Sequence, residues 1–507
     1  MTDVRQAVVI VHGMGEQRPL GTLNRFIKAA LTPRTDKGKT FYSQPDRVTD
    51  SFESRRYIAP RYAPDDVEVH AQTEFYEYHW AHLMQGNKLG DLWPTFRRML
   101  FRWVTRVPAG LRAVWVLFWV LLAVAVVVLT RNGWDDGGDV VQTLLGTGIT
   151  GTVLAYLVTR VLPGALTNSF VDVVRYLDTS PRSYEVRREI RKGMVDLLRA
   201  LHDKGRYDRI VVVAHSLGAY IAYDGISYLW AHVNKLHGGK NLAGGAPAGL
   251  QEVERLASDL PERPSAEQVD AYQDAQRALW LGLREQGNPW RITDFVSVGT
   301  PMYFADDLYT RNRGEFDERV KRWEFATCPP QAEGGGPWNN VNRTPLWFSW
   351  LNGRRRVLYH GAPFAVVRWT NMWFPARFGV LGDWFGGPLA PLFGWGIKDV
   401  PLTGNGRKPR IPAAAHTMYF SFPDDRGPAS VTTALQRAMD LASTAWLEPA
   451  TTAPKPDPET ARGSSRESEP GYGGEREPGG REAADARPRR ARARAGVDVD
   501  SRRRRRT

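Results

Sequence analysis

Cysteine is almost missing from this chain: Cys328 is the single one in 507 residues. One thiol excludes an intrachain disulfide and a cysteine-rich zinc site, and it suits a reducing compartment. Acidic residues are in deficit, 55 Asp plus Glu against 68 Lys plus Arg, for a formal net charge of +13. That imbalance suits an anionic partner, phospholipid or nucleic acid, without choosing between them. A secretion signal is not legible: MTDVRQAVVIVHGMG carries only the short apolar run 7–11 and no small-residue cleavage pattern. Fixed-period repeats are lacking, which speaks against a solenoid. A composition 42% hydrophobic and 24% charged excludes a wholly disordered or collagen-like chain.

What the chain has in excess is tryptophan, eighteen residues, a side chain favoured in cores and at membrane interfaces alike. Several stand near an apolar run at 113–129, AVWVLFWVLLAVAVVVL, which holds neither charge nor glycine. As a helix it would extend about 26 Å, close to a bilayer core. A soluble helix rarely stays apolar around its whole circumference for that length. A second, weaker run at 140–162 holds Gln142 and the small-residue pairs Gly146/Thr150 and Gly151/Ala155, which let a partner helix approach closely. The two predict a transmembrane hairpin joined by RNGWDDGGD. Arg97, Arg98, Arg102, Arg106 and Arg112 precede it, so that side is expected in the cytoplasm and the acidic connector outside. The expected location is the cell membrane, multi-pass.

The rest alternates strand and helix patterns. Residues 7–11, 75–80, 209–214, 291–298 and 365–370 read as strands, and 182–204 as a helix. Residues 236–290 read as a mostly helical, polar insertion. Alternation of this kind predicts an α/β fold, a mainly parallel sheet flanked by helices. From about 451 the chain is rich in Pro, Gly, Ser, Glu and Arg and ends in Arg502–Arg506. It cannot bury enough surface to offset ordering entropy, so a disordered basic tail is expected, whose basic run could hold anionic lipid or bind nucleic acid. The expected organisation is 1–96, a hairpin at 97–163, 164–450, and the tail at 451–507.

The chemistry centres on Ala214-His215-Ser216-Leu217-Gly218, between the strand RIVVV and the helical AYIAYDGI. A strand, then small-x-Ser-x-Gly, then a helix is a nucleophile elbow. The small flanking residues allow a sharp turn that exposes the serine. The Leu217 N–H then lies at a helix N-terminus, where negative charge would develop.

These residues resemble the α/β-hydrolase superfamily, particularly its lipase- and esterase-like members, over most of 5–445 apart from the hairpin. The elbow departs from the usual pattern in having Ala214 where Gly is commoner. Val9-Ile10-Val11-His12-Gly13-Met14-Gly15 is similar to the strand and oxyanion loop of lipases. The match implies Met14 as a second oxyanion donor beside Leu217, with His12 shaping the loop. The superfamily's chain order of Ser, acid, His implies His416 as the base, in Ala415-His416-Thr417-Met418-Tyr419-Phe420, while His360 comes too early. Trp369-Thr370-Asn371 followed by Asp383-Trp384-Phe385-Gly386-Gly387-Pro388-Leu389 implies Asp383 as the acid. Asp306, Asp307 and Asp399 are the other candidates.

The resemblance therefore implies a serine ester hydrolase with Ser216, Asp383 and His416 as its triad, acting on an acyl ester, with lipid as one candidate class, and with no metal or organic cofactor. Two other classes are open: a non-catalytic hydrolase-like membrane scaffold whose tail recruits partners, and, with only the tail behind it, a nucleic-acid-associated protein.

Overall fold

The computed structural model describes residues 5–13, 18–31, 42–45, 55–58, 72–84, 107, 112, 115, 116, 119, 120, 123, 176–177, 181–203, 205–237, 246–310, 312–331, 349–352, 355–376, 382–403, 414–421, 427 and 430–441. The chain divides into Met1–Thr451 and Thr452–Thr507, and every described residue belongs to the first unit. The tail, like Met14, lies outside the described residues.

Ten strands are described: β1 (Arg5–Val11), β2 (Tyr42–Pro45), β3 (Arg55–Ile58), β4 (Gln72–Tyr78), β5 (Arg209–His215), β6 (Ile292–Val298), β7 (Ser349–Asn352), β8 (Arg355–Leu358), β9 (Arg368–Trp373) and β10 (Lys398–Pro401). Eight form one sheet in the order β10-β9-β6-β5-β1-β4-β3-β2. The six from β10 to β4 run parallel, while β3 and β2 extend one edge antiparallel. Strands β7 and β8 form a separate antiparallel ribbon. The longer helices are α1 (Gly21–Leu31), α2 (Pro181–Asp203), α3 (Leu217–His237), α4 (Leu250–Asp259), α5 (Ala266–Glu285), α6 (Arg313–Lys321) and α7 (Val431–Met439).

The central strands are mostly apolar because both of their faces are covered. Side chains alternate across the sheet. Ala7, Val9, Val11, Ile210, Val212 and Ala214 enter the core shared with α2, α3, α4 and α5. Val8, Ile10, Val211 and Val213 enter the opposite core, shared with α1 and α7. The register between β5 and β6 slips once, at Ile210/Val211. Thr293 is the residue passed over there, and its hydroxyl accepts from Arg209 Nε at 2.9 Å. Arg209 is fully buried and ion-paired with Asp294, which also pairs with Arg368.

Several expectations need correction. Residues 236–290 are not simply a polar insertion. One face of α5 buries Val269, Tyr272, Gln276, Leu279 and Trp280. Gln276 donates to the Phe364 and Val367 carbonyls at 2.6 and 3.1 Å, and Gln273 to the Trp369 carbonyl at 3.2 Å. Those glutamines read as surface because hydropathy ignores which carbonyls a side chain can reach. The strand expected at 365–370 starts later, at Arg368, since Pro363 opens a 3-10 turn over Pro363–Ala365. The strand expected at 75–80 ends at Tyr78, and Trp80 is used at the next loop instead.

Among the described residues no helix is long and apolar enough to cross a membrane. The expected hairpin therefore has no support in the described structure. Its second segment lies wholly outside the described residues, and its first does so apart from Trp115, Val116, Trp119, Val120 and Ala123. These five are helical, with Val116 and Val120 45% and 52% exposed.

Candidate active site

In a parallel sheet the carboxyl ends of the strands share one rim, where loops can bring distant residues together. Four such ends build this site. Strand β5 runs straight into Ser216, and α3 begins at the next residue. Ser216 has φ 55°, the left-handed conformation, which costs a residue with a side chain about 1–3 kcal/mol. Neighbours impose the turn. Ser216 N–H donates to the Val298 carbonyl at 3.0 Å, and Ala219 N–H to the Ser216 carbonyl at 3.0 Å. Gly218 lets the first turn of α3 press on β1: a Cβ there would lie 2.5 Å from the His12 carbonyl and 2.6 Å from that of Val11. The N–H groups of the first turn have no intrahelical partner, so that of Leu217 faces the rim at the positive end of the helix.

The end of β1 brings His12 and Gly13. A Cβ on Gly13 would meet His215 Nδ1 at 2.6 Å and Ser216 Cβ at 3.0 Å, so this backbone lies directly against the serine. Trp80 N–H donates to His12 Nε2 at 3.2 Å, leaving Nδ1 to donate to the Gly13 carbonyl at 2.8 Å. The Trp80 indole donates to the His12 carbonyl at 3.0 Å and stacks on the imidazole. Burial lowers the His12 pKa to about 3. The ring is neutral with both nitrogens engaged, a loop-shaping residue.

Past β9, the segment after Gly382 carries Asp383. Its N–H donates to the Phe374 carbonyl at 3.1 Å. The carboxylate is fully buried. Oδ1 accepts Phe385 N–H at 2.8 Å, and Oδ2 accepts the Tyr419 hydroxyl at 2.6 Å. Burial alone would raise its pKa. The charge interaction with His416 and the three hydrogen bonds outweigh that and hold it below the usual carboxylate value. Asn371 of β9 steadies the segment, donating to the Gly387 carbonyl at 2.9 Å.

His416 sits in the short helix Ala414–Thr417. Its Nε2 is 2.8 Å from Ser216 Oγ, and its Nδ1 is 3.1 Å from each Asp383 oxygen. With Nδ1–H directed at the carboxylate, Nε2 is left to accept the serine proton. Positions 216, 383 and 416 are thus brought into one hydrogen-bonded chain. His215 supports it from below. Burial lowers its pKa to about 3, and Nε2–H donates to the carbonyl of His416 at 2.9 Å. Beside His416 stands an aromatic cluster of Phe304, Trp384 and Phe385, the last with its ring centroid 4.9 Å from the imidazole.

The other candidates fall elsewhere. Asp399 accepts from Asn371 Nδ2 at 2.7 Å and from Leu389 and Ala390 N–H at 3.0 and 2.9 Å, so it ties β10 to the loop above it. Asp306 and Asp307 lie in the short helix Ala305–Leu308. His360 packs on Tyr359 and Trp323. Sequence reading missed His215 and Tyr419 as members of the site. The available signals were a histidine fused to the elbow and a tyrosine three residues after the base. Among the described residues no group of three or more His, Cys, Asp or Glu could hold a metal ion.

No family model, no curated protein and no solved structure matches the chain.

Proposed function

We propose that the protein is a serine ester hydrolase of α/β-hydrolase type, anchored to a membrane by the apolar segments between β4 and β5. The observation that carries the enzymatic reading is the continuous path from Ser216 Oγ through His416 to Asp383, 2.8 Å and then 3.1 Å, at a left-handed strand-to-helix turn. A serine hydroxyl is a weak nucleophile until a base lies within hydrogen-bond reach. In this reading His416 Nε2 takes the Oγ proton as the oxygen attacks the ester carbonyl. The imidazolium is stabilised by the Asp383 charge, which also fixes the tautomer. The tetrahedral oxyanion receives the Leu217 N–H and, by the resemblance, that of Met14. One such donor is worth about 3 kcal/mol. His416 returns the proton to the leaving alcohol. Water then attacks the acyl-enzyme with the same base.

Ser216 is fully buried. The rings of Phe304, Trp384 and Phe385 beside the base favour an apolar acyl group over a charged one. Lipid is a natural class for such an enzyme at a membrane. The basic tail adds a contact for anionic headgroups.

The test is labelling by a serine-reactive fluorophosphonate together with hydrolysis of a chain-length series of p-nitrophenyl esters. The wild-type protein should label, and Ser216→Ala should lose both labelling and hydrolysis while keeping its melting transition. Equal labelling of the two proteins would move the nucleophile elsewhere.

A further inference from the structure

Tyr419 lies three residues beyond His416 and is buried to 1% exposure. Its hydroxyl has two partners. It donates to Asp383 Oδ2 at 2.6 Å and accepts Phe374 N–H at 3.1 Å. Its ring stacks on Phe374 with centroids 4.8 Å apart. The fold clears space for this group at Gly299, the residue after β6. A Cβ there would come 2.3 Å from Tyr419 Cε2 and 2.9 Å from Asp383 Oδ2, and φ of 53° already disfavours a side chain. Gly386 clears the other side, since its Cβ would also lie 2.9 Å from Asp383 Oδ2.

The carboxylate is therefore gripped at both oxygens by groups outside the proton path: Phe385 N–H on Oδ1, the Tyr419 hydroxyl on Oδ2. His416 Nδ1 stands 3.1 Å from each. That is longer than the roughly 2.7–2.9 Å usual for a charge-assisted N–H to carboxylate bond. The shortest bond Asp383 makes is with the tyrosine.

We propose that Tyr419 is a positioning residue for the acid: its hydroxyl, opposite Phe385 N–H, holds the Asp383 carboxylate square to His416 Nδ1 and takes up part of its charge, so it sets how strong a base His416 is. This rests on the reading of Ser216, His416 and Asp383 as a catalytic set and deepens it.

The sign follows from charge. A hydrogen bond to the ionised form stabilises that form. Without the hydroxyl, Asp383 has more charge to offer the imidazolium, so protonated His416 gains stability and its titration moves to higher pH. The titratable groups around the pair are few. His215 at the end of β5 is neutral. Tyr419 itself is pushed far up by burial and by Asp383. Arg25 of α1 acts on His215 at longer range.

The experiment is Tyr419→Phe in the full chain, which keeps the ring and removes one oxygen. Histidine carbon-13 labelling with NMR titration follows His416, its resonance assigned by its disappearance in His416→Gln. The midpoint should rise relative to wild type. The acid limb of kcat/KM for a p-nitrophenyl ester should rise by the same amount, with KM unchanged. An unchanged midpoint in a variant with native near-UV circular dichroism would overturn the proposal. Loss of the native spectrum would also overturn it, by making the hydroxyl a packing anchor and nothing more. If the wild-type enzyme neither labels nor hydrolyses an ester, the catalytic reading falls. The His416 titration still decides whether Tyr419 tunes it.

Discussion

At the scale of single residues, the site depends on positions that break ordinary rules. Ser216 carries a side chain at φ 55°, and Asp383 is ionised with no exposure to water. Each is tolerated because its surroundings over-determine it. Three side chains acting as a unit should be non-additive when removed. Ser216→Ala and His416→Ala should each lower kcat by several orders of magnitude, and the double variant should be no worse than either. Asp383→Asn should cost up to about 10⁴-fold, because the amide favours the wrong imidazole tautomer. Steady-state kinetics on the same ester series decides this. If Asp383→Asn is near wild type while Asp306→Asn or Asp307→Asn is inactive, the acid is misassigned. Ser216, His416 and Asp383 were named from local motifs that resemble the hydrolase pattern: an elbow, a histidine before an aromatic pair, an aspartate before Gly-Gly-Pro-Leu. Tyr419 and His215 stand inside those same motifs, but their roles were not legible, because no motif specifies the contacts they make across 36 and 201 residues. No window of sequence contains such a pair.

At the scale of elements, the sheet separates the work of its two rims. Ser216 follows the last residue of β5, while Arg209 is its first. Arg209 Nη2 donates to Asp294 at 2.5 Å and to the Met439 carbonyl at 2.6 Å, and Nη1 to Gln6 Oε1 at 3.3 Å and the Asp440 carbonyl at 3.1 Å. One guanidinium thus joins β1, β5, β6 and the end of α7. Burial lowers its pKa to about 10, so it stays charged at neutral pH. Arg209→Met leaves Asp294 buried with Arg368 alone, and breaking such a pair costs about 3–5 kcal/mol. Thermal unfolding should show that loss, while phosphonate labelling well below the melting point stays near wild type. The pH dependence has a definite sign. Burial would raise the Asp294 pKa, but Arg368 and Arg209 more than offset it, so the folded value lies below the usual carboxylate value. The stabilisation is fully present above the unfolded carboxylate pKa of about 3.9 and is lost as pH falls through the lower folded value. Acid unfolding of Arg209→Met should therefore show less of that loss than wild type. The core strands were legible as β-branched runs with two buried faces. The short strands β2, β3, β7, β8 and β10 were not. Four residues carry too little periodicity, and their pairing is decided by partners far along the chain.

At the scale of the whole molecule, the order of strands constrains the membrane reading. Strand β1 pairs with β4, which precedes the apolar segments, and with β5, which follows them. Gly13 lies against Ser216. Both flanks of 85–175 therefore belong to one sheet and one site, and a folded sheet cannot be divided by a bilayer. Any crossings between β4 and β5 must be even in number. A single span is excluded by this topology. In the proposed reading, Arg residues before the first segment and the Asp135, Asp136 and Asp139 connector after it would orient a pair of spans with the sheet in the cytoplasm. The hydrophobicity of 113–129 is what motivates this proposal; the described residues give the hairpin no support. The small-residue spacing of 140–162 motivates it less strongly, because a span held by close helix packing needs less apolar surface of its own. The prediction is that the chain stays in the membrane fraction after alkaline carbonate washing. In a Cys328→Ser background, a cysteine replacing Asp136 should react with an impermeant maleimide on intact cells. One replacing Lys204 should react only after the cells are opened. Extraction by carbonate would remove the anchor from the reading. Labelling of the Lys204 position from outside would reverse the orientation. Labelling of both positions in intact cells would contradict the single sheet that joins β1, β4 and β5, so the topology experiment tests the fold as well as the location.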